Sequence, residues 1–133
     1  MIESQQKKFQ SSKGEVIFTV TQLNGMKAMR LFILLSKKIG PGLAKMKGSP
    51  DKFEGLTALL GSIDPDDFTH VSRELLTGHC VCMWPDKGEV DSNAGDHLGE
   101  IFQGHPFEIG KLVLFALEAN FGSFFSNASK GAE

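Results

Sequence analysis

The chain contains no tyrosine, a single tryptophan and only two cysteines among its 133 residues. Cys80 and Cys82 are two residues apart in a strand-like segment, where their Cα atoms lie roughly 6.5–7 Å from each other, too far for a comfortable disulfide bond.

The N-terminus lacks the apolar stretch of a signal peptide, and no apolar run is long enough to span a membrane. A net charge of −2 leaves no electrostatic footprint for nucleic acid. We therefore expect a soluble, intracellular protein that binds neither nucleic acid nor a membrane.

The aromatic residues that are present are mainly eleven phenylalanines, which lack a polar group and therefore suit dry contacts. Residues 106–125 are almost wholly apolar and are interrupted mainly by Glu108, Lys111, Glu118 and Asn120. A helix that is apolar on nearly every side must be covered by its own domain or by a partner. We expect a buried C-terminal helix that begins at Pro106, because proline fits the first helical turn.

The two ends of the chain are polar, whereas residues 15–23 are rich in β-branched side chains. Residues 1–13 carry lysines and little to bury except Phe9, which predicts a flexible N-terminal arm. The β-branched segment predicts a strand. We expect one globular domain over residues 14–126 and a flexible tail over residues 127–133.

Two longer helices and one short one are predicted between this strand and residue 78. Asn24 is a typical N-cap, after which apolar side chains recur at three- and four-residue steps from Met26 to Ile39, opposite a basic side. The Gly40-Pro41 pair predicts the end of this helix. Asp64 predicts a second N-cap, with Pro65 at the first helical position. A further short helix is predicted around residues 53–60.

The segment from Val81 to Trp84 leads into the turn composition Pro-Asp-Lys-Gly, after which Glu89 and Val90 continue the chain. This pattern predicts a small β-hairpin. The expected fold class is therefore α+β and mostly helical. A small antiparallel sheet, formed by the N-terminal strand and the hairpin, should pack on a helical bundle that contains the buried C-terminal helix.

His79, Cys80 and Cys82, with His97 and His105 downstream, are the cluster that has metal-ligand residue types. Two cysteines on one strand face and two histidines could complete a tetrahedral zinc site, but the usual knuckle spacing is missing. Unliganded cysteines pack as small apolar residues, and no motif indicates a stabilised thiolate nucleophile. We predict no catalytic residue, metal or cofactor; a small metal- or thiol-dependent enzyme is the disfavoured alternative.

Phe121, Phe124 and Phe125 share one face of the predicted C-terminal helix. Large aromatic side chains usually pack within their own domain. Contiguous apolar patches that stay exposed, however, mark interaction sites. Both interpretations of these three rings stay open.

Two segments of the chain together resemble a known family. The first is a strand followed by a basic amphipathic helix, GEVIFTVTQLNGMKAMRLFILLSKKIGPGLA, and the second is the aromatic C-terminal helix, HPFEIGKLVLFALEANFGSFF. In these segments the chain resembles the tail assembly chaperones of tailed bacteriophages and prophages. The middle of the chain is not distinctive, and Ser123 stands where similar proteins often carry an acid.

The resemblance implies a non-enzymatic protein that binds an assembly partner, the tape measure protein, in the cytoplasm of the bacterial host. Its partner-binding residues would be Met26 and Met29, which adapt to varied apolar partners, with Phe121, Phe124 and Phe125. An alternative left open is a structural subunit retained in the tail or baseplate of the virion. Such a subunit would contact tube or baseplate proteins, or further copies of itself.

Overall fold

The computed structural model describes residues 4–48, 61 and 63–130, with the side chains of residues 4–37, 61 and 63–121. The strands are β1 (Ser4–Ser11), β2 (Gly14–Thr21), β3 (Cys80–Trp84) and β4 (Glu89–Asp91). The helices are α1 (Gly25–Gly48), α2 (Pro65–Leu76), α3 (Leu98–Ile101) and α4 (Pro106–Lys130), with a 3₁₀ turn at Ala94–Asp96. None of these helices, over the ranges given, is long and apolar enough to cross a membrane.

The four strands form one antiparallel sheet in the order β1-β2-β3-β4. β2 pairs with β3 from Ile17 opposite Met83 to Val20 opposite Cys80. The predicted pairing of an N-terminal strand with a hairpin is therefore confirmed, and so is the α+β fold class. One face of the sheet packs against the helices, and the other faces outward.

Residues 4–11, predicted to belong to a flexible arm, form the edge strand β1, so that prediction is wrong for them. β1 pairs with β2 along its whole length through a tight turn that ends at Gly14, whose positive φ of 102° suits glycine. Phe9 is only 3% exposed. The polar composition was misleading because the strand is stabilised by backbone pairing with β2 and by the buried Phe9 ring. Composition alone indicates neither contact.

A cluster of four phenylalanines joins the inner face of the sheet to α4. The Phe18 ring stacks 5.4 Å from Phe102 and meets Phe9 edge-on at 5.7 Å. Phe115 of α4 lies 6.2 Å from Phe9. These centroid distances are in the range where aromatic pairs attract each other beyond the effect of buried area. The cluster therefore fixes how the sheet and α4 pack.

α4 is covered on most sides, which confirms the predicted burial of the C-terminal helix; its buried residues include Leu112, Val113, Ala116, Leu117 and Ala119. The helix begins at Pro106, as predicted, and has non-helical dihedral angles at Phe121. It then continues to Lys130, so residues 127–130 are helical rather than the tail that was expected. No glycine or proline lies between residues 123 and 130 to interrupt the backbone hydrogen bonds.

The predicted caps are present at the starts of α1 and α2. The Asn24 side chain accepts the backbone N–H of Lys27 at 2.9 Å. The Asp64 carboxylate accepts the N–H of Asp66 at 2.9 Å, with Pro65 as the first helical residue. Each cap satisfies a backbone donor that the helix itself leaves unpaired.

The predicted end of α1 at Gly40-Pro41 is wrong, because the helix continues to Gly48. Proline removes one backbone hydrogen bond and its ring crowds the preceding turn. Residues 43–47, LAKMK, are strong helix formers, and they favour continuation of the helix. The short helix predicted around residues 53–60 lies outside the described residues.

The 3₁₀ turn packs closely against the end of α2 at Gly95. A Cβ at this position would lie 2.6 Å from the carbonyl carbon of Leu76 and 2.8 Å from Cα of Thr77. Both are backbone atoms that cannot rotate away. We predict that Gly95→Ala lowers the free energy of unfolding by about 1–3 kcal/mol, as overpacking does.

Urea unfolding followed by Trp84 fluorescence measures this change. Gly99→Ala is the matched control, because a Cβ at Gly99 meets nothing within 4 Å. The control should keep the stability of the parent protein. Equal stability of the Gly95→Ala variant would contradict the close backbone contact.

Candidate functional site

α1 carries a row of exposed apolar side chains on its outer side. Met26, Met29 and Ile33 are 76%, 57% and 45% exposed. Their spacing of three and four residues places them on one side of the helix. Leu31 and Leu35, by contrast, are buried in the core. Over residues 25–37, where its side chains are described, α1 is thus apolar on two sides, and its own domain covers the side of Leu31 and Leu35.

A groove of about 740 Å³ lies between α1 and α2, next to this row. Leu31 and Leu34 contribute apolar lining from α1. The same helix adds three cations, Lys27, Arg30 and Lys37. α2 contributes His70 and Glu74. The groove therefore combines apolar lining with an excess of positive charge.

The start of α1 is held against α4 by amide side chains. The Asn120 Oδ1 atom accepts the backbone N–H of Leu23 at 2.7 Å, and its Nδ2 donates to the carbonyl of Ala116 at 2.9 Å. The Gln22 side chain donates to the carbonyl of Ala119 at 2.8 Å. These bonds join the β2–α1 loop to the turn of α4 that precedes the break at Phe121.

Phe121 is brought to α1 by this junction. Its ring lies 5.5 Å from the ring of Phe32, and both side chains are half-buried. Met26 and Met29 are on the same helix as Phe32, so three of the five predicted partner-binding residues lie on or against α1. The side chains of Phe124 and Phe125 lie outside the described residues. The partner-binding role of all five stays a prediction.

The outer face of the sheet forms a second apolar surface, which the sequence pattern did not single out. The sheet face consists of Ile17, Val81, Met83 and Val90, with Met83 and Val90 exposed by 39% and 62%. Ile17 lies opposite Met83, which in turn lies opposite Val90, so these three form one row across the sheet. The period-two alternation of β3 was the available signal, since its inward residues are buried.

The cysteines lie on the inner side of β3, where both are buried. Burial raises the pKa of each thiol to about 12, and nearby acidic groups add to the effect. The thiol form, which is a poor nucleophile and ligand, therefore dominates at neutral pH. Within the described ranges, no three His, Cys, Asp or Glu side chains come together as metal ligands. Cys80 and Cys82 act as core residues.

Two histidines have opposite electrostatic surroundings. The Lys27 ammonium lies 3.1 Å from Nε2 of His79, and since an ammonium only donates, the ring accepts through Nε2. Burial, followed by this cation, lowers the pKa of His79. His97 bonds the Asp91 carboxylate at 2.8 Å, which raises the pKa of His97. Through its contact with His79, Lys27 connects the groove to the residue that precedes β3.

The structure is that of a small α+β protein with exposed apolar side chains on α1 and on the outer face of the sheet. Such surfaces suit contact with other proteins. The chain belongs to the phage tail assembly chaperone family: the family described as phage tail assembly chaperone protein, TAC, matches residues 14–132. The resemblance seen in the sequence is therefore confirmed, and with it a role in phage tail assembly. Searches among curated proteins and among solved structures found no match.

The buried thiols lead to a prediction about reactivity. We expect Cys80 and Cys82 to react slowly with a disulfide reagent at pH 8 in the folded protein, because burial disfavours the thiolate. The reaction should accelerate at least about a hundredfold in denaturant, where the thiol pKa returns to about 8.5. Fast reaction of the folded protein would mean that β3 exposes a thiolate, and would revive the thiol-enzyme alternative.

The histidine surroundings lead to a prediction about titration. In the folded protein His79 should titrate below, and His97 above, the ordinary histidine pKa. NMR of the imidazole Cε1–H signals measures both values, with His79→Gln and His97→Gln to assign them.

The two shifts have opposite effects on stability. The contribution of His97 is complete below its unfolded pKa and is lost as the pH rises through the raised folded value. The contribution of His79 is complete above its unfolded pKa and is lost as the pH falls through the lowered folded value. Equal pKa values for the two rings would contradict these contacts.

Proposed function

We propose that this protein binds the tape measure protein during tail assembly, in the cytoplasm of the bacterial host. It covers apolar segments of that partner while the tail tube forms, and it acts by binding rather than by catalysis. Membership of the tail assembly chaperone family supports the assembly role. The exposed row of Met26, Met29 and Ile33 is the observation that supports α1 as the binding surface.

The physical chemistry of this row suits a chaperone. Covering a Met or Ile side chain fully is worth about 1.5–3 kcal/mol relative to leaving it in water, so three neighbouring side chains favour association. Methionine is unbranched and adapts its shape, which lets one surface bind several apolar segments. Phe121, packed on Phe32, lies against the same helix. By sequence, Phe124 and Phe125 extend this aromatic end.

A second candidate function is that of a structural subunit retained in the tail or baseplate. The sheet face favours it, because a second exposed apolar surface on another side of the molecule could contact a neighbouring subunit. In a symmetric ring, a contact between two different surfaces closes on itself. The two candidates differ in whether the protein stays in the finished particle.

Co-expression with the tape measure protein tests the binding surface. We expect the parent chain to keep the tape measure protein in the supernatant and to co-purify with it. Met26→Asp/Met29→Asp should lower the co-purified amount at least about tenfold, because it places charge where apolar contact is needed. The matched control is Met83→Asp/Val90→Asp on the sheet face.

Circular dichroism and thermal unfolding should show that both double variants fold. If the sheet variant alone loses the partner, the binding surface is the sheet face and the assignment to α1 is wrong. If no variant or parent chain binds the tape measure protein, the proposed partner itself is wrong.

Quantitative mass spectrometry of purified particles distinguishes the two candidate functions. A chaperone that leaves before completion should be present in the lysate of infected cells and absent from finished tails. A fixed number of copies per tail, measured against the tube and baseplate proteins, would establish a structural subunit and overturn the chaperone proposal.

A further inference from the structure

The charge of the groove between α1 and α2 is opposite in sign to that of the whole protein. Lys27, Arg30 and Lys37 face one carboxylate in the groove, that of Glu74. The chain as a whole has a net charge of −2. Cations are therefore concentrated where the apolar row is exposed. A partner that matches this surface carries negative charge.

Two of these cations are available to a partner. Arg30 and Lys37 are exposed, and over the part of the chain that the structure describes neither forms an ion pair with a carboxylate. Lys27 is different, because it is half-buried and contacts His79 at 3.1 Å. An anionic partner would thus pair mainly with Arg30 and Lys37.

The spacing along α1 specifies the shape of the partner. Met26, Met29 and Ile33 follow each other at three- and four-residue steps, which is the pattern that a second helix covers with its own apolar stripe. Arg30 and Lys37 are seven residues apart, or about 10.5 Å along the helix axis at 1.5 Å per residue. Carboxylates two turns apart on a facing helix have the same separation.

We propose that this groove binds an amphipathic helix with an acidic flank. Its apolar stripe covers Met26, Met29 and Ile33, and two carboxylates spaced about seven residues apart pair with Arg30 and Lys37, the charges setting the register. The inference rests on the proposed function, in that such a helix belongs to the tape measure protein. A nucleic acid would satisfy the cations but leave the apolar row uncovered, so the helix accounts for both features.

A synthetic helix of about 20 residues, labelled for fluorescence anisotropy, tests the chemistry directly. It carries leucines at three- and four-residue steps and glutamates seven residues apart. A matched helix has lysine in place of each glutamate. We expect the acidic helix to bind the parent chain at least about tenfold more tightly than the basic helix at low salt, and this difference to shrink as salt screens the charges.

Charge reversal on the protein supplies the decisive comparison. Arg30→Glu/Lys37→Glu should weaken binding of the acidic helix about tenfold or more and should strengthen binding of the basic helix. Lys8→Glu/Lys87→Glu changes the net charge by the same amount at exposed positions away from the groove, and should leave both affinities within about twofold. Circular dichroism should show that each double variant is folded.

Three outcomes of the helix titrations would overturn the proposal. They are equal binding of the two helices, equal effects of the two double variants, and no binding of either helix. A single-stranded DNA of similar length serves as a competitor; if it binds the groove and displaces the helix at equal concentration, the site is for polyanions and not for an acidic helix.

The closing experiment separates this inference from the proposed function. The Arg30→Glu/Lys37→Glu variant is co-expressed with the tape measure protein. Undiminished co-purification would leave the tape measure partner standing and reject the acidic-helix contact. If the parent chain binds the acidic helix but does not co-purify with the tape measure protein, the acidic-helix contact stands and the proposed partner is wrong.

Discussion

The Phe18 ring lies between β1 and the segment after α3, where it stacks on Phe102 and meets Phe9 edge-on. Phe115 joins the cluster from α4. Since phenylalanine has no polar atom to satisfy, the cluster can be dry and closely packed. Through these contacts the inner face of the sheet packs against α4. As a consequence, the outer face of the sheet is left at the surface. The outer side of α1, with Met26, Met29 and Ile33, is exposed as well.

The two remaining apolar surfaces differ in their surroundings. On the polar part of the outer sheet face, Ser4 bonds Thr21 and Gln6 bonds Thr19 across the strands. The Lys8 ammonium lies 3.9 Å from Glu15, so the charges of this face balance locally. α1 instead surrounds its apolar row with cations, two of them unpaired within the described residues. Because α1 has unpaired cations beside its exposed apolar side chains, we assign the partner-binding surface to α1 rather than to the sheet face.

The end of α4 and the start of α1 behave as one structural unit. Asn120 and Gln22 join the β2–α1 loop to α4, and Phe32 of α1 contacts Phe121 just beyond these bonds. Phe121, where α4 departs from helical geometry, therefore packs against the helix that carries the methionine row. This contact joins two helices that are far apart in sequence.

Much of the fold could be read from local pattern. The caps at Asn24 and Asp64, the hairpin of β3 and β4, and the burial of the C-terminal helix follow from residue types whose preferences are set by their own backbone neighbours. One error falls where a distant contact outweighs composition: the polar segment of residues 4–11 becomes a strand because β2 pairs with it. The other is local, because α1 continues past Pro41 into strong helix formers although proline disfavours a helix interior.

The candidate site was only partly predictable for the same reason. The family resemblance and the adaptability of methionine pointed to Met26 and Met29, but the apolar positions of α1 alone do not say which side its domain covers. Leu31 and Leu35 are buried only because the domain packs on that side, which leaves Ile33, Arg30 and Lys37 outside. The sequence by itself determined the helix caps, the hairpin and the apolar content of this protein, because these depend on local preferences. Tertiary packing alone decided which apolar and charged side chains meet at the surface.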